Sequence, residues 1–239
     1  MFINSLTNPL VKHLIKLRDD SKYRKEQKEV LVMGKKMVKE VAIRHTPKVV
    51  IATNSVLISD INASSILMTT DDVMKKICGM PTPEGIVAIF PLPAITSFTN
   101  QGRHFLLLDG LKDPGNVGTL IRTAYALNFD GVILTDNTVD PFNDKALRAA
   151  KGTTFFLSLF HLDDPKKLEH FNIYIADAGG KDVKAINFKE PMVLVLGSES
   201  HGSKFSLGEK VSIPMAHDFD SLNVSIAGAI LMYLMNAAS

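Results

Sequence analysis

Phe105-Leu106-Leu107-Leu108-Asp109-Gly110, then Pro114-Gly115-Asn116-Val117-Gly118-Thr119-Leu120-Ile121-Arg122, then Gly131-Val132-Ile133-Leu134, sets the rhythm of this chain. A short apolar run ending at a glycine turn reads as a strand buried on both faces. Pro114 suits the first turn of a helix, and Val117, Leu120, Ile121, Ala124 and Leu127 recur at helical spacing. The second apolar run completes a strand–helix–strand unit. The alternation continues, with strands expected over 156–159, 173–176, 192–197 and 211–213 and an apolar helix over 226–235. Apolar strands alternating with helices predict a parallel α/β domain, two-layered or doubly wound.

Toward the N-terminus, residues 91–102 hold two prolines, a glycine and several small polar residues, which places a linker at 94–103 between domains at 1–93 and 104–239. The first domain reads as a smaller α/β unit. A helix is expected from Pro9, a polar surface turn over 22–28 and strands over 30–33, 49–52, 66–68 and 85–90. Further helices are expected over 35–44 and from Asp71.

The chain has 239 residues, 46% of them apolar, with a formal net charge of +2. That balance fits a folded domain and excludes a disordered polyelectrolyte. The single cysteine, Cys78, rules out a disulfide framework and a cysteine-clustered zinc site and reads as a small core residue. No apolar run is long enough to span a bilayer. The first residues, broken by Asn4, Ser5, Asn8 and Pro9, lack a signal peptide's apolar run, so a cytoplasmic protein is expected. The small net charge hides an asymmetry: residues 1–50 carry 12 Lys/Arg against 5 Asp/Glu, and the remainder 15 against 20. A basic first fifth points to a polyanion contact there.

Three glycine- or proline-bearing turns follow expected strands, where open α/β sheets place their ligands. They are Asp109–Arg122, then Gly197-Ser198-Glu199-Ser200-His201-Gly202, then Ile213-Pro214-Met215 leading to Ser221-Leu222-Asn223-Val224-Ser225. None is a Walker loop or a dinucleotide fingerprint, and singly each is ordinary loop chemistry. Arg122 says more. On a helical wheel it falls almost opposite the apolar stripe of its helix, so it projects to solvent or a cleft.

Together the three turns resemble the SpoU/TrmH family of RNA ribose 2′-O-methyltransferases, in the order Asn116-x-Gly118-x-x-x-Arg122, Leu196-Gly197-Ser198-Glu199-x-x-Gly202, Ile213-Pro214-Met215 and Ser221-Leu222-Asn223-Val224-Ser225. Tyr23-Arg24-Lys25 through Gly34, and Thr82-Pro83-Glu84-Gly85, are similar to the small substrate-binding domain that many members carry. One departure is Arg148-Ala149-Ala150, where the family often has Arg-Ala-Ser.

The resemblance implies a C-terminal trefoil-knot domain with a parallel sheet that binds S-adenosylmethionine through Leu196, Gly197, Ile213, Met215 and Leu222. It implies catalytic roles for Arg122, Asn116, Glu199, Ser221 and Asn223; capping of the last helix is the alternative reading of Ser221 and Asn223, and the two roles are compatible. Arg122 is expected to orient the ribose and adjoining phosphate, because a guanidinium is a poor base. No metal is called for, and the absence of a cysteine after residue 103 argues against methylation at pyrimidine C5, which needs a thiolate. The expected substrate is structured RNA, 23S ribosomal RNA ahead of transfer RNA, with a catalytically inert RNA-binding relative as the non-enzymatic alternative. Lys12, Lys16, Lys22, Arg24, Lys25 and Lys28 are the expected phosphate contacts, and a homodimer is the expected assembly.

Overall fold

A computed structural model describes residues 2–198, 202, 203, 205, 207–216 and 221–237. The chain divides into two compact units, Met1–Pro93 with Phe142–Arg148, and Ala94–Pro141 with Ala149–Ser239. Among the described residues no helix is long and apolar enough to cross a membrane.

In the first unit the chain runs through β1 (Phe2–Ile3), α1 (Pro9–Asp19), α2 (Ser21–Gln27), β2 (Glu29–Met33) and α3 (Lys35–Ala42). It continues through β3 (Val49–Ala52), β4 (Ile66–Thr69), α4 (Asp71–Cys78) and β5 (Ile86–Pro91). The five-stranded sheet has the order β1-β4-β3-β5-β2. Its β1, β4 and β3 are mutually parallel, whereas β5 runs antiparallel to both β3 and β2. Val11, Leu14 and Leu17 of α1 join Val73, Met74 and Ile77 of α4 in a core with Leu31, Met33 and Ile51. Burying each such side chain stabilises the unit by about 1.5–3 kcal/mol. Capping fixes the helix ends. Asn8 Oδ1 accepts from Leu10 N–H at 2.8 Å, and Glu84 Oε2 accepts from Lys35 N–H at the start of α3, also at 2.8 Å, where a carboxylate is favoured.

The polar run over 22–28, expected as a turn, is mostly the helix α2. Asp20 starts it by accepting from Tyr23 N–H at 3.1 Å, and Lys28 ends it in the left-handed conformation at φ 53°. Arg24, expected on RNA, is 2% exposed. Its Nη1 donates to the carbonyls of Leu17 and Arg18 at 2.8 and 3.0 Å, the last turn of α1. Those carbonyls have no partner within their helix, and a buried guanidinium supplies one. Arg24 therefore holds the end of α1 and, being buried, does not face RNA phosphates.

The second unit contains β6 (Thr96–Ser97), β7 (His104–Asp109), α5 (Pro114–Ala126) and β8 (Gly131–Leu134). After α6 (Asp144–Ala150), whose first five residues group with the first unit, come β9 (Ser158–His161), β10 (Asn172–Asp182), β11 (Met192–Gly197), β12 (Glu209–Ser212) and α7 (Val224–Ala237). All seven strands are parallel, in the order β12-β10-β11-β7-β8-β9-β6. Phe105–Leu108 and Met192–Leu196 are buried throughout, as continuous apolar runs in a doubly covered parallel sheet require. From β7 the chain first winds outward through β8 and β9, then returns to build β10, β11 and β12 on the other side. The direction reverses between β7 and β11, whose last residues, Asp109 and Gly197, lie in register. That switch point is where such sheets take ligands.

Residues 94–103, expected as a linker, do more than connect: Thr96–Ser97 pairs with β9, and Phe98 is buried against Phe105 and Phe171. The strand expected over 156–159 begins at Ser158 instead. Gly152, at φ 82°, leads into a short 3-10 turn over Thr153–Phe155 that uses up the intervening residues.

Candidate active site

The site is built from the C-terminal ends of β7, β10, β11 and β12 and the first turns of α5 and α7. β7 ends on Asp109, which is buried, and Gly110 turns the chain at φ 72°. Gly110 N–H donates to the hydroxyls of Thr135 and Thr138 at 3.0 and 3.1 Å. Asp113 then caps α5, its carboxylate accepting from Asn116 N–H at 2.9 Å, and Pro114 occupies the first turn. Asn116 is thereby fixed at the head of the helix.

Across 107 residues of sequence, Asn223 Nδ2 donates to Asn116 Oδ1 at 3.2 Å. Asn223 Oδ1 in turn accepts from the backbone and hydroxyl of Ser225 at 2.9 and 2.6 Å. It therefore caps α7 and meets Asn116 at once. α7 packs on α5 and β11 at Gly228, where any β-carbon would collide with Leu120 and Leu196.

Leu196, Gly197, Ile213, Met215 and Leu222, the five expected donor-binding residues, line one cavity of about 340 Å³, and Ser221 lies on its wall with them. Gly197 is required by close approach: a β-carbon there would strike the backbone of Gly202 and Ser203. Ser198 and Gly202 form an antiparallel bridge, Gly202 N–H donating to Ser198 O at 2.9 Å. Ser203 Oγ anchors this turn to the end of β7 by donating to Asp109 Oδ2 at 3.0 Å. Glu199, with His201, lies outside the described residues.

Arg122 is exposed, and Val117, Leu120, Ile121 and Ala124 are buried, so the helix presents the arginine away from its packed face. It makes no hydrogen bond or ion pair with another described residue, Asn116 and Asn223 included.

Among the cavity-lining residues that the sequence did not single out are Ala176, Asp177 and Ala178 of β10. β10 pairs with β12 through Ala176, slips its register, and resumes at Lys181. The intervening bulge is pressed so tightly onto β12 that a β-carbon at Gly180 would collide with the Lys210–Val211 backbone. The signal was the Gly179-Gly180 pair inside a strand, which marks a bulge or close backbone approach. Asp177 Oδ2 pairs with Lys210 Nζ at 2.7 Å and Oδ1 accepts from Gly179 N–H at 2.8 Å. These contacts, Lys210's first, hold the carboxyl below the usual carboxylate range.

The cavity suits S-adenosylmethionine. Its size falls within the range of about 300–1,000 Å³ usual for cofactor sites. Its walls are aliphatic, and its polarity comes from strand-end backbone and from Ser198, Ser221 and Asp177. On the first unit, Lys12, Lys16, Lys22, Lys25 and Lys28 are all exposed. Lys16 Nζ lies 5.3 Å from the centre of the Tyr23 ring, and Lys22 pairs loosely with Glu26 at 3.9 Å.

Comparison with known proteins places the chain in a family. Residues 8–88 match an MRM3-like substrate binding domain. The chain is 32% identical, over 97% of its length and 97% of the relative's, to a Bacillus subtilis (strain 168) protein named 23S rRNA (guanosine(2553)-2′-O)-methyltransferase RlmP. It is similar to the AdoMet-bound crystal structure of an rRNA methyltransferase from Sinorhizobium meliloti, at 27% identity and a TM-score of 0.85, covering 99% of this chain and 97% of that one. Residues 103–233, more than half of the chain and including every cavity-lining residue, match the model of the SpoU rRNA Methylase family, and the chain belongs to that family.

Proposed function

We propose that the protein methylates a ribose 2′-hydroxyl of structured RNA, 23S ribosomal RNA above all, with S-adenosylmethionine as donor. The observation that carries this reading is the meeting of Asn116 with Asn223 beside the cavity shared by Leu196, Gly197, Ile213, Met215, Ser221 and Leu222. When bound, the donor supplies a methyl group already activated on a sulfonium; methylation leaves a neutral thioether and frees the hydroxyl proton. The chain's own tasks are to position the ribose oxygen and to stabilise the site as that proton leaves. Asn116 and Asn223 offer amide donors and acceptors at the head of α5. Arg122 orients the ribose and adjoining phosphate with its forked donors, and Glu199 holds Arg122 by a charge-assisted pair.

In this reading residues 1–93 dock RNA through Lys12, Lys16, Lys22, Lys25 and Lys28, residues 94–103 join the domains, and residues 104–239 form the methyltransferase domain, tied as a trefoil knot. The protein works in the cytoplasm as a homodimer. Support for the dimer comes from α7, where Ile226, Ile230 and Tyr233, at spacings of four and three, leave an apolar stripe exposed.

Ribosomal subunits and total RNA incubated with methyl-labelled donor test the proposal. One labelled ribose in 23S RNA is the expected product, and Arg122→Ala should slow transfer by about 100-fold or more with the melting temperature unchanged. Absence of transfer to any RNA, or full activity in Arg122→Ala, overturns it. Label confined to transfer RNA overturns the ribosomal assignment alone.

A further inference from the structure

Asp177 is the single ionisable side chain among the described residues that line the donor cavity. It is there because β10 bulges: the four residues between Ala176 and Lys181 have no partner on β12. A bulge at a sheet's ligand end re-aims the side chain it carries. The bulge is fixed on both sides, by Ser212 Oγ donating to Gly180 O at 2.8 Å and by Lys210 Nζ on Asp177 Oδ2. The carboxylate therefore keeps one orientation, and its side chain remains about one-third exposed (34%).

We propose that Asp177 is a positioning residue for the methyl donor and takes the vicinal hydroxyls of the donor's ribose. The assignment rests on the donor reading given above. Three parts of the donor could give hydrogen bonds to a carboxylate or attract its charge: the ribose diol, the base amine, and the cationic sulfonium with its ammonium tail. The chemistry of Asp177 favours the diol. Its charge is already balanced by Lys210, so a further cation gains little from it. Its lone pairs are not exhausted, because an ionised carboxylate accepts at about four sites and the two contacts with Lys210 and Gly179 use two. A neutral diol needs those acceptors, and bonds from hydroxyl to carboxylate are among the stronger hydrogen bonds. The flat base, by contrast, suits the aliphatic wall of Leu196, Leu222, Val224 and Leu231.

Calorimetry on the full chain tests this with four probes: S-adenosylmethionine, S-adenosylhomocysteine, 5′-methylthioadenosine and its 2′-deoxy counterpart. Asp177→Ala should weaken the first three by the same factor, about tenfold or more. Asp177→Asn, which keeps the acceptor for Gly179 and the side-chain shape, should weaken them less. Deleting the 2′-hydroxyl should cost the wild type a similar factor and cost Asp177→Ala nothing. In turnover the change should fall on the KM for the donor more than on kcat. A loss confined to S-adenosylmethionine would assign Asp177 to the sulfonium, and one spared in methylthioadenosine would assign it to the amino-acid tail. Equal sensitivity to the 2′-deoxy change in wild type and variant would assign it elsewhere on the nucleoside. Each of these, like unchanged binding in Asp177→Ala, overturns the proposal. Failure of the wild type to bind any probe would instead bring down the donor reading itself. Thermal melts of both variants identify a loss that comes from misfolding.

Discussion

The first unit leaves its polar chemistry on its helices, and the second leaves it at the ends of its strands. In the mixed sheet the strands alternate direction around β5, so strand ends of both polarities share each edge. Its lysines stand outward on α1 and α2. In the second unit every strand runs the same way and both faces are covered, so the C-terminal edge is the part of the sheet left to converge on a ligand. Backbone geometry therefore matters most in the second unit, and side-chain charge in the first. Changes that touch one and spare the other break or sharpen that contrast.

The largest effect is expected from one methyl group in the second unit. Gly197→Ala places a β-carbon against the Gly202–Ser203 backbone, and backbone yields less easily than a flexible side chain. The Ser198–Gly202 turn must move, and with it the wall of the cavity. Binding of S-adenosylmethionine should fall by at least about 100-fold, equivalent to about 2.7 kcal/mol, while far-ultraviolet circular dichroism stays native. Donor affinity within threefold of wild type would show that the turn adapts, and that backbone fit does not control this site.

Next comes a pair of neighbours in the first unit. Arg24→Met removes the buried guanidinium from the carbonyls of Leu17 and Arg18 and should cost about 2–3 kcal/mol of unfolding free energy, because both acceptors stay in place without it. Lys25→Ala, one residue on and exposed, should change stability by less than about 0.5 kcal/mol and weaken RNA binding instead. Urea melts and filter binding separate the two. Equal destabilisation by both changes would dissolve the distinction drawn between capping and docking residues.

That pair also shows what could be read from the sequence. The strands over 105–109, 131–134 and 192–197 were legible because a doubly covered parallel strand is an unbroken apolar run. Arg122's outward aim followed from helix period alone. What escaped was whatever depends on partners remote in sequence. Arg24 looks like its neighbouring lysines until α1's last carbonyls are placed beside it. Phe98 looks like part of a linker until Phe105 and Phe171 surround it. Asp177 looks like a strand terminus until the β10–β12 register is known. The residues proposed to hold the donor were assigned through the family pattern. Composition could not supply them, because a site made of glycines and aliphatic walls leaves little chemical mark on a sequence.

The lysines themselves should respond additively. If Lys12, Lys16, Lys25 and Lys28 each neutralise one phosphate, each change to Ala lowers the slope of log affinity against log salt by about 0.7–0.9. Their effects should be similar because all are exposed. Changes in the second unit such as Gly197→Ala should leave that slope alone.

The smallest effect concerns Cys78. Burial pushes its thiol up to about 11, and its Sγ sits 3.7 Å from Met74 Sδ in the core beneath α4. A free thiol near its ordinary value of about 8.5 carries a reactive thiolate fraction at pH 8, whereas this one stays protonated and covered. Labelling by a thiol reagent should therefore be slow in the native protein and become fast only on unfolding. The sign for stability follows from the raised value. The unfolded chain ionises first, so the contribution is intact below about pH 8.5 and is lost as pH rises toward 11. Cys78→Ala should flatten that alkaline decline without altering donor or RNA binding. Rapid native labelling at pH 8 would mean that α4 opens readily, and the first unit would then hold its charged helices on a looser core than its packing indicates.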